Sequence, residues 1–469
     1  MTAAGRPLIV GFGVTGRALA RHLGRAAEPP VVIDDRPASD AGVVAADLGV
    51  TLVAAPGAAA LEGLVGDASV VFVSPGVPIT HPVFALAAAA GVSVRSEIEL
   101  GWRILAERSA PRPLLVAVTG TNGKTTVTTE VAAMLAASGL AVATAGNIGT
   151  PLVDVADAEL DVIVAEVSSF QLSCTDGWHP DVSCWLNLSP DHLDWHGHVE
   201  DYASAKARIW ANQGPGDTVV INADDDTVVA AAAGANAGVR LVTFSAVAPA
   251  DYCADGDALV EAPDQVLAQR ADLVRGLPHD LANALAALAV ARAAGATPAG
   301  CAAGLRSSNP LPHRVELVAE ADGVAWFDDS KATTPASVLA AVAGFDSVVL
   351  IAGGRNKGLD LDALACGVPP VHHAVAIGDA ADEVVAALRE VVPVTKVATM
   401  AQAVAQAAAV AGRGDVVVLS PGCASFDWYR SYAERGDDFA HEVRARIATR
   451  SAPPCPPSPG GSQEEVRPC

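Results

Sequence analysis

Lysine is nearly missing from this chain. Its 469 residues hold five, at Lys124, Lys206, Lys331, Lys357 and Lys396; 30 basic residues less these five leaves 25 arginines. Where a surface needs only positive charge, this sequence uses arginine, so a lysine that persists is a candidate for work needing a primary amine or a compact ammonium; Lys396 alone reads as plain surface. Basic charge is short overall: 30 against 53 acidic residues gives a net charge of −23. Nucleic acid and anionic membrane surfaces are excluded as partners by that repulsion, while a local basic pocket for a phosphate ligand is not. Long apolar runs are also lacking. The longest uncharged stretch, residues 131–153, is broken by Ser138, Gly139, Gly146, Asn147, Gly149 and Pro151, and reads as a helix end, a strand and a turn, too interrupted to span a bilayer. No cationic segment followed by an apolar core opens the sequence, so the expected location is the cytoplasm. Eight cysteines without close pairs fit reduced thiols better than a disulfide framework.

What is present is alternation. Short β-branched runs (Leu8-Ile9-Val10, residues 31–33, 70–73, 114–118, 162–164, 219–221, 348–351, 374–377 and 416–419) are separated by Ala-rich helical stretches. Continuous apolar runs of this length indicate buried parallel strands, hence an α/β class. Pro/Ser-rich breaks at residues 109–113 and 307–312 divide the chain. The expected domains are 1–112, 113–309 and 310–450, followed by a disordered Pro/Gly/Ser-rich tail at 451–469.

In parallel sheets, ligands sit beyond the carboxyl ends of strands, so the loops there matter most. The first is Gly11-Phe-Gly13-Val-Thr15-Gly16, between a strand and a helix over 17–23. Its glycines suit close approach to a diphosphate, and Asp34, ending the next strand, is placed to accept from a ribose hydroxyl. Ser74-Pro75-Gly76 is a further loop at the same edge. The second is Gly120-Thr121-Asn122-Gly123-Lys124-Thr125-Thr126, between a strand and a helix. It is a phosphate-binding loop in which backbone amides and Lys124 suit the β- and γ-phosphates and the Thr125 hydroxyl suits Mg²⁺. The first position departs from the usual pattern: Val118 stands five before Gly123, and the extra glycine is at 120. Glu166 ends a buried strand, where a carboxylate near such a loop is a natural metal ligand.

The run Asn187 to His198 contains Asp191, His192, Asp194, His196 and His198. Its spacing matches no zinc pattern; a polar loop with one histidine near Mg²⁺ and the other side chains solvated is more economical. On the helix beginning at Asp201, Tyr202, Lys206, Ile209 and Trp210 share one face. Lys206 thus lies on an apolar stripe, where burial would disfavour its ammonium, although the pattern alone favours a lysine extending to solvent at the helix edge. In the third segment, Pro312-His313-Arg314, Asp328-Asp329-Ser330-Lys331-Ala-Thr333, Gly353-Gly-Arg-Asn-Lys357-Gly358 and Ser420-Pro-Gly-Cys-Ala-Ser425-Phe-Asp427 gather hydroxyls and cations. The last three follow strands and suit a small anionic substrate.

Together, GTNGKT at 120–125, EVSSFQL at 166–172, DHLD at 191–194 followed by Lys206, HDLANALAALA at 279–289, PHR at 312–314, DDSKAT at 328–333, GGRNKG at 353–358 and SPGCASFD at 420–427 resemble the Mur ligase family over nearly the whole chain except the tail. Within the family, GFGVTG at 11–16, DDRP at 34–37, GGRNKG and SPGCASFD point to the member that adds D-glutamate to UDP-N-acetylmuramoyl-L-alanine. The resemblance implies three domains: a Rossmann-like N-terminal domain, a central P-loop ATPase-type α/β domain and a C-terminal Rossmann-like domain. It also implies an amide ligase acting through an acyl phosphate.

By the same resemblance, Lys124 contacts the ATP phosphates, Thr125 and Glu166 hold one Mg²⁺, His192 ligates a second, and Lys206 is a carbamylated lysine. Asn283, His313, Arg314 and Asp329 would serve the nucleoside. Lys331, Thr333, Lys357, Ser425 and Tyr432 would form the D-glutamate site, and Gly13, Thr15, Gly16, Asp34, Ser74 and Asn147 the UDP-sugar site. The expected partners are small molecules only, acting on a monomer. Departures stand at Asp280, where asparagine is common, and at Asp35 and Tyr432. The alternatives are a sister ligase, from which the diaminopimelate-adding member is set apart by the missing Asp-Asn-Pro-Arg motif, and a folylpolyglutamate synthase-like enzyme. A nicotinamide-dependent oxidoreductase would leave the phosphate loop, Glu166 and Lys206 without roles, and a non-enzymatic ATP switch is a third class.

Overall fold

A computed structural model describes residues 5–25, 28–108 and 111–451. Of the tail expected at 451–469, Ser451 ends a helix and residues 452–469 lie outside the described residues, as do residues 109–110 of the first break. The chain folds as two compact units. Among the described residues, one unit comprises those up to 311 with 334–344 and 356–360; the other comprises 312–333, 345–355 and 361–451. Three sheets occur where three domains are expected, two in the first unit and one in the second.

Every apolar run picked out from the sequence is a strand. The first sheet is fully parallel, ordered Thr51–Ala54, Val31–Asp34, Arg6–Val10, Ala68–Val73, Val94–Arg95. Its first helix, Val14–Leu23, starts three residues earlier than expected because Gly13 caps it in an extended conformation. The second sheet has nine strands, with Val142–Gly146, Val162–Glu166, Leu114–Thr119, Val182–Trp185, Thr218–Asn222 and Arg240–Ser245 adjacent and parallel, and an internally antiparallel extension over residues 252–269 whose first strand joins Arg240–Ser245 in parallel. The third runs Glu316–Ala321, Val324–Asp328, Val416–Leu419, Val348–Gly353, Val371–Ile377, Val394–Lys396, and only its first pair is antiparallel.

The central sheet is buried on both faces, which is why its strands read as unbroken apolar runs. One face packs on helices Lys124–Ala137 and Pro278–Ala293. The latter is begun by Pro278 at its first turn and has ten buried residues from Asp280 to Ala291, as an Ala/Leu helix enclosed on all sides requires. The opposite face packs on Trp178, Trp210 and helix Glu97–Glu107. Residues 131–153 form the expected helix end and strand, and where a turn was expected the chain bends into the four-residue helix Leu152–Val155. Lys396 is an exposed surface residue paired with Asp382 at 2.7 Å.

Candidate active site

The central sheet places three loops side by side. Val118, Glu166 and Gly146 are in register on adjacent strands, so the loop 120–123, the Glu166 carboxylate and Asn147 emerge at one edge. Gly123 caps the next helix with φ of +83°, and a methyl group there would stand 2.4 Å from Asn283 Oδ1, so glycine is demanded twice. That same approach brings Asn283 to the loop. The amides of Thr121 and Asn122 both donate to Asn187 Oδ1, at 3.1 and 2.9 Å. Asn187 lies just beyond the strand Val182–Trp185; in the sequence it is only the start of a polar run. Lys124 Nζ donates to the carbonyls of Gly120 and Thr121, at 2.8 and 2.7 Å. Thr126 follows in the first turn of the helix.

Glu166 is buried, and both its oxygens accept: Oε2 from Thr125 Oγ1 at 2.8 Å and Oε1 from Asn147 Nδ2 at 2.7 Å. The pairing of Thr125 with Glu166 is therefore geometric and not only motif-based. Asn147, expected at a sugar site, reaches the same carboxylate.

Lys206 does not extend to solvent; it is 1 % exposed, beneath the Tyr202 ring at 4.5 Å, with Nζ donating to Gly120 O at 2.7 Å. Tyr202, Ile209 and Trp210 are buried beside it, so the shared helix face is real and it carries Lys206 inward. Burial, then the like charge of Lys124, lowers the Lys206 pKa well below its ordinary value. Gly120 O thus accepts from two lysine amines.

Most of the 187–198 run is packed, where solvation was expected. Phe170, Trp195, His196 and Tyr202 form a ring cluster with His192, whose centroid lies 4.7 Å from that of Phe170. His192 has φ of +53° and its amide donates to Asp191 Oδ1 at 2.8 Å. Burial lowers its pKa, with Asp191 opposing and the ammonium groups of Lys357, Lys124 and Lys206 adding to the fall. His196, bonded to Ser169 Oγ at 2.9 Å, is pushed down to about 4 by burial and then by His192. Asp194 and His198 are exposed.

In the N-terminal sheet, Asp34 turns out to be a staple for its own loop. Its carboxylate accepts from the Phe12 amide at 2.6 Å and the Arg36 amide at 2.8 Å, so a ribose hydroxyl could reach only the remaining lone pairs. Ser74 Oγ donates to Gly11 O at 3.2 Å, tying the two loops together. A methyl group on Gly16 would lie 1.9 Å from Gly11 O, so this glycine lets the helix start against the turn. Gly13 is exposed, and Thr15 is in the first turn of the helix.

In the second compact unit, the strands ending at Asp328, Leu419 and Gly353 are neighbours, so the DDSKAT, SPGCASFD and Gly353-Gly-Arg355 loops share one edge. Asp329 is buried, accepts from Ser420 Oγ at 2.7 Å, and is pushed up to about 7 by burial, with Arg314 opposing. Lys331 Nζ stands 3.7 Å from the centroid of the Tyr432 ring, so tyrosine at this uncommon position keeps a cation partner. Ser425 is buried two residues beyond Cys423, and Thr333 closes the loop begun by Asp329. Lys357 belongs to the first unit, and the other four residues expected around an amino acid to the second.

His313, Glu316 and Asp328 hold three potential ligand atoms within 4.8 Å of one another. A methyl group on Gly436 would, however, stand 2.3 Å from His313 Nδ1 and 2.4 Å from Asp328 Oδ2. The helix backbone closes over this pair, which is already joined at 2.7 Å. The pair braces the turn.

Three family descriptions match in order: "Mur ligase MurD-like, N-terminal domain" over residues 5–96, "Mur ligase middle domain" over 118–291 and "Mur ligase, glutamate ligase domain" over 313–423. Among curated relatives, a UDP-N-acetylmuramoylalanine--D-glutamate ligase of Frankia casuarinae is 46% identical over 459 residues, 94% of this chain and 95% of the relative. The protein of that name from Shouchella clausii is 40% identical, covering 94% and 97%. Among solved structures, the UDP-N-acetylmuramate-alanine ligase of Thermotoga maritima aligns with a TM-score of 0.59 at 17% identity, covering 94% of this chain and 99% of that one. A pseudomurein peptide ligase type C of Methanothermus fervidus aligns at 0.57 and 16%. These two show a shared three-domain architecture.

Proposed function

The chain belongs to the Mur ligase family, and from that premise we propose that it joins D-glutamate to UDP-N-acetylmuramoyl-L-alanine at the expense of ATP, in cytoplasmic synthesis of peptidoglycan precursors. The observation that carries a ligase reading is the convergence of Lys124 and Lys206 on Gly120 O beside the Thr125–Glu166 pair. The choice of amino acid rests on the relatives' names.

The Thr125 hydroxyl and the Glu166 carboxylate, 2.8 Å apart, are oxygen donors that fit a hard divalent cation. When bound, Mg²⁺ offsets the repulsion between an attacking carboxylate and a polyphosphate. The loop amides of 120–123 and Lys124 hold and orient the phosphates. In the reaction, the L-alanyl carboxylate attacks the γ-phosphorus, an O–P bond forms and ADP leaves. The D-glutamate amine then attacks the acyl carbon of the acyl phosphate, a C–N bond forms, and the tetrahedral adduct expels inorganic phosphate while the amine proton passes to solvent.

Lys206 serves this site as a carbamate. Its buried amine, in the neutral form that burial favours, attacks CO₂, a C–N bond forms, a proton is lost, and the amine becomes an anionic oxygen ligand. His192 and the carbamate would serve a second ion. Asn283, His313, Arg314 and Asp329 are assigned to the nucleoside, and Lys331, Thr333, Lys357, Ser425 and Tyr432 to the incoming amino acid. Gly13, Thr15, Gly16, Ser74 and Asn147 are assigned to the UDP-sugar, with Asp34 supporting the loop. The protein acts alone on small molecules. Among the described residues no helix is long and apolar enough to cross a membrane.

The test is phosphate release from ATP and UDP-N-acetylmuramoyl-L-alanine with D-glutamate, L-alanine, L-lysine or diaminopimelate. Release is expected only with D-glutamate; a preference for another amino acid would transfer the chain to a sister activity.

A further inference from the structure

Arg435 belongs to none of the motifs assigned above, yet it is among the largest fully buried side chains, 1 % exposed. It lies in the first turns of the helix Tyr432–Ser451. Its guanidinium donates Nε to Ser330 Oγ at 2.9 Å, Nη2 to Ser330 O at 2.8 Å and Nη1 to Cys423 O at 3.1 Å. A methyl group on Gly354 would stand 3.0 Å from Nη1. One side chain therefore touches all three loops that follow the neighbouring strands ending at Asp328, Leu419 and Gly353.

Those loops are also stitched to each other. The Gly422 amide donates to Ala332 O at 3.0 Å, and Arg355 and Ala424 exchange two backbone bonds at 2.8 and 3.0 Å. Ser330 Oγ, which accepts from Arg435, donates to Tyr432 O at 2.7 Å. Thr333, Ser425 and Tyr432 each lie within three residues of an atom that Arg435 or Ser330 holds. Among the described residues Arg435 has no carboxylate within ion-pair distance, although the Asp427, Asp328 and Tyr429 groups act on it. Burial lowers its pKa to about 10, so it stays charged at neutral pH. A buried cation held by carbonyl and hydroxyl oxygens is costly unless its geometry is needed, and a planar fork reaching three loops is something lysine cannot reproduce.

We propose that Arg435 is the positioning residue of the amino-acid site, a brace that sets the DDSKAT, GGR and SPGCAS loops in one register so that Thr333, Ser425 and Tyr432 meet an anionic amino acid together. The inference rests on the D-glutamate reading above. It is tested on the full-length protein with Arg435→Lys and Ser330→Ala. The KM values for D-glutamate, ATP and the UDP-sugar are measured by phosphate release, and hydrogen exchange is followed by mass spectrometry.

Arg435→Lys is expected to raise the D-glutamate KM about tenfold or more, as misplacement of positioning groups does, with the other two KM values within about twofold. Exchange should quicken at 329–333, 353–355 and 420–425 and nowhere else. Ser330→Ala, which keeps the arginine, should give a smaller rise of the same selectivity and decides the matter if the lysine variant does not fold. An unchanged D-glutamate KM in a folded variant, an equal rise in all three, or unchanged exchange would overturn the proposal. A wild-type protein that ignores D-glutamate refutes the functional reading instead, and the exchange pattern still judges the brace.

Discussion

Lys206→Met separates what the buried amine does for the fold from what it does for the reaction. Methionine fills nearly the same space under Tyr202, so little packing is lost. The change removes one hydrogen bond to Gly120 O, worth about 1 kcal/mol net, and also the cost of burying a basic group. Because the folded pKa is lowered from 10.5, the unfolded chain holds more protons between the two values, so wild-type stability rises with pH through that window. One proton is worth about 1.36 kcal/mol per pH unit. Denaturant unfolding from pH 7.5 to 9.5 should therefore show the difference between wild type and Lys206→Met changing by up to about 1.36 kcal/mol per unit in favour of wild type. At pH 8 the variant should be at least as stable as wild type, because the lost hydrogen bond is offset by the removed cost of burying a basic group, yet ligase turnover should fall on the order of a thousandfold, since a lost metal ligand removes several kcal/mol of charge stabilisation. Stripping CO₂ from the buffer should depress wild-type turnover and leave the variant unchanged. A pH-independent stability difference would refute the buried neutral amine, and near-normal turnover would refute the carbamate.

Glu97 is buried, accepts from the Val153 amide at 2.7 Å, and is pushed up to about 7 by burial, from 4.5. A raised carboxyl pKa contributes stability below the unfolded value that is lost as pH rises through the folded one. Glu97→Gln should therefore gain on wild type by about 3 kcal/mol between pH 4 and pH 8, and parallel urea midpoints across that range would contradict it. Asn187→Ala leaves the Asn122 amide without its acceptor, a loss of roughly 1–3 kcal/mol when buried, while the Thr121 amide keeps the main-chain carbonyl of residue 187; the ATP KM should rise about tenfold while the D-glutamate KM holds, and equal shifts in both would count against a role in shaping the phosphate loop. Gly16→Ala drives a methyl group to 1.9 Å from Gly11 O, so urea unfolding should show a loss of about 3 kcal/mol or more together with weakened UDP-sugar binding; a neutral change would mean that the loop can relax.

Strands were readable because a sheet covered on both faces needs unbroken runs such as residues 162–164, and the phosphate loop because its backbone conformation demands glycine at 123. The antiparallel extension over residues 252–269 has mixed burial and short strands, so no apolar run announced it. Asn187 and Arg435 escaped for a different reason. Asn122, held by Asn187, and Ser330, held by Arg435, lie 65 and 105 residues away in sequence, and no local pattern records such a contact.

The class of fold, the phosphate loop, the family and the roster of charged side chains were written in local order, because strand periodicity, turn conformation and motif spacing are properties of neighbouring residues. Tertiary structure alone decided that Lys206 points inward under Tyr202, that Asp34 ties down its own glycine loop, that His192 sits among rings, and that Arg435 joins three loops. Those outcomes depend on which distant surfaces close over a side chain, and hence on burial and the loss of solvent, which a single segment cannot encode by itself.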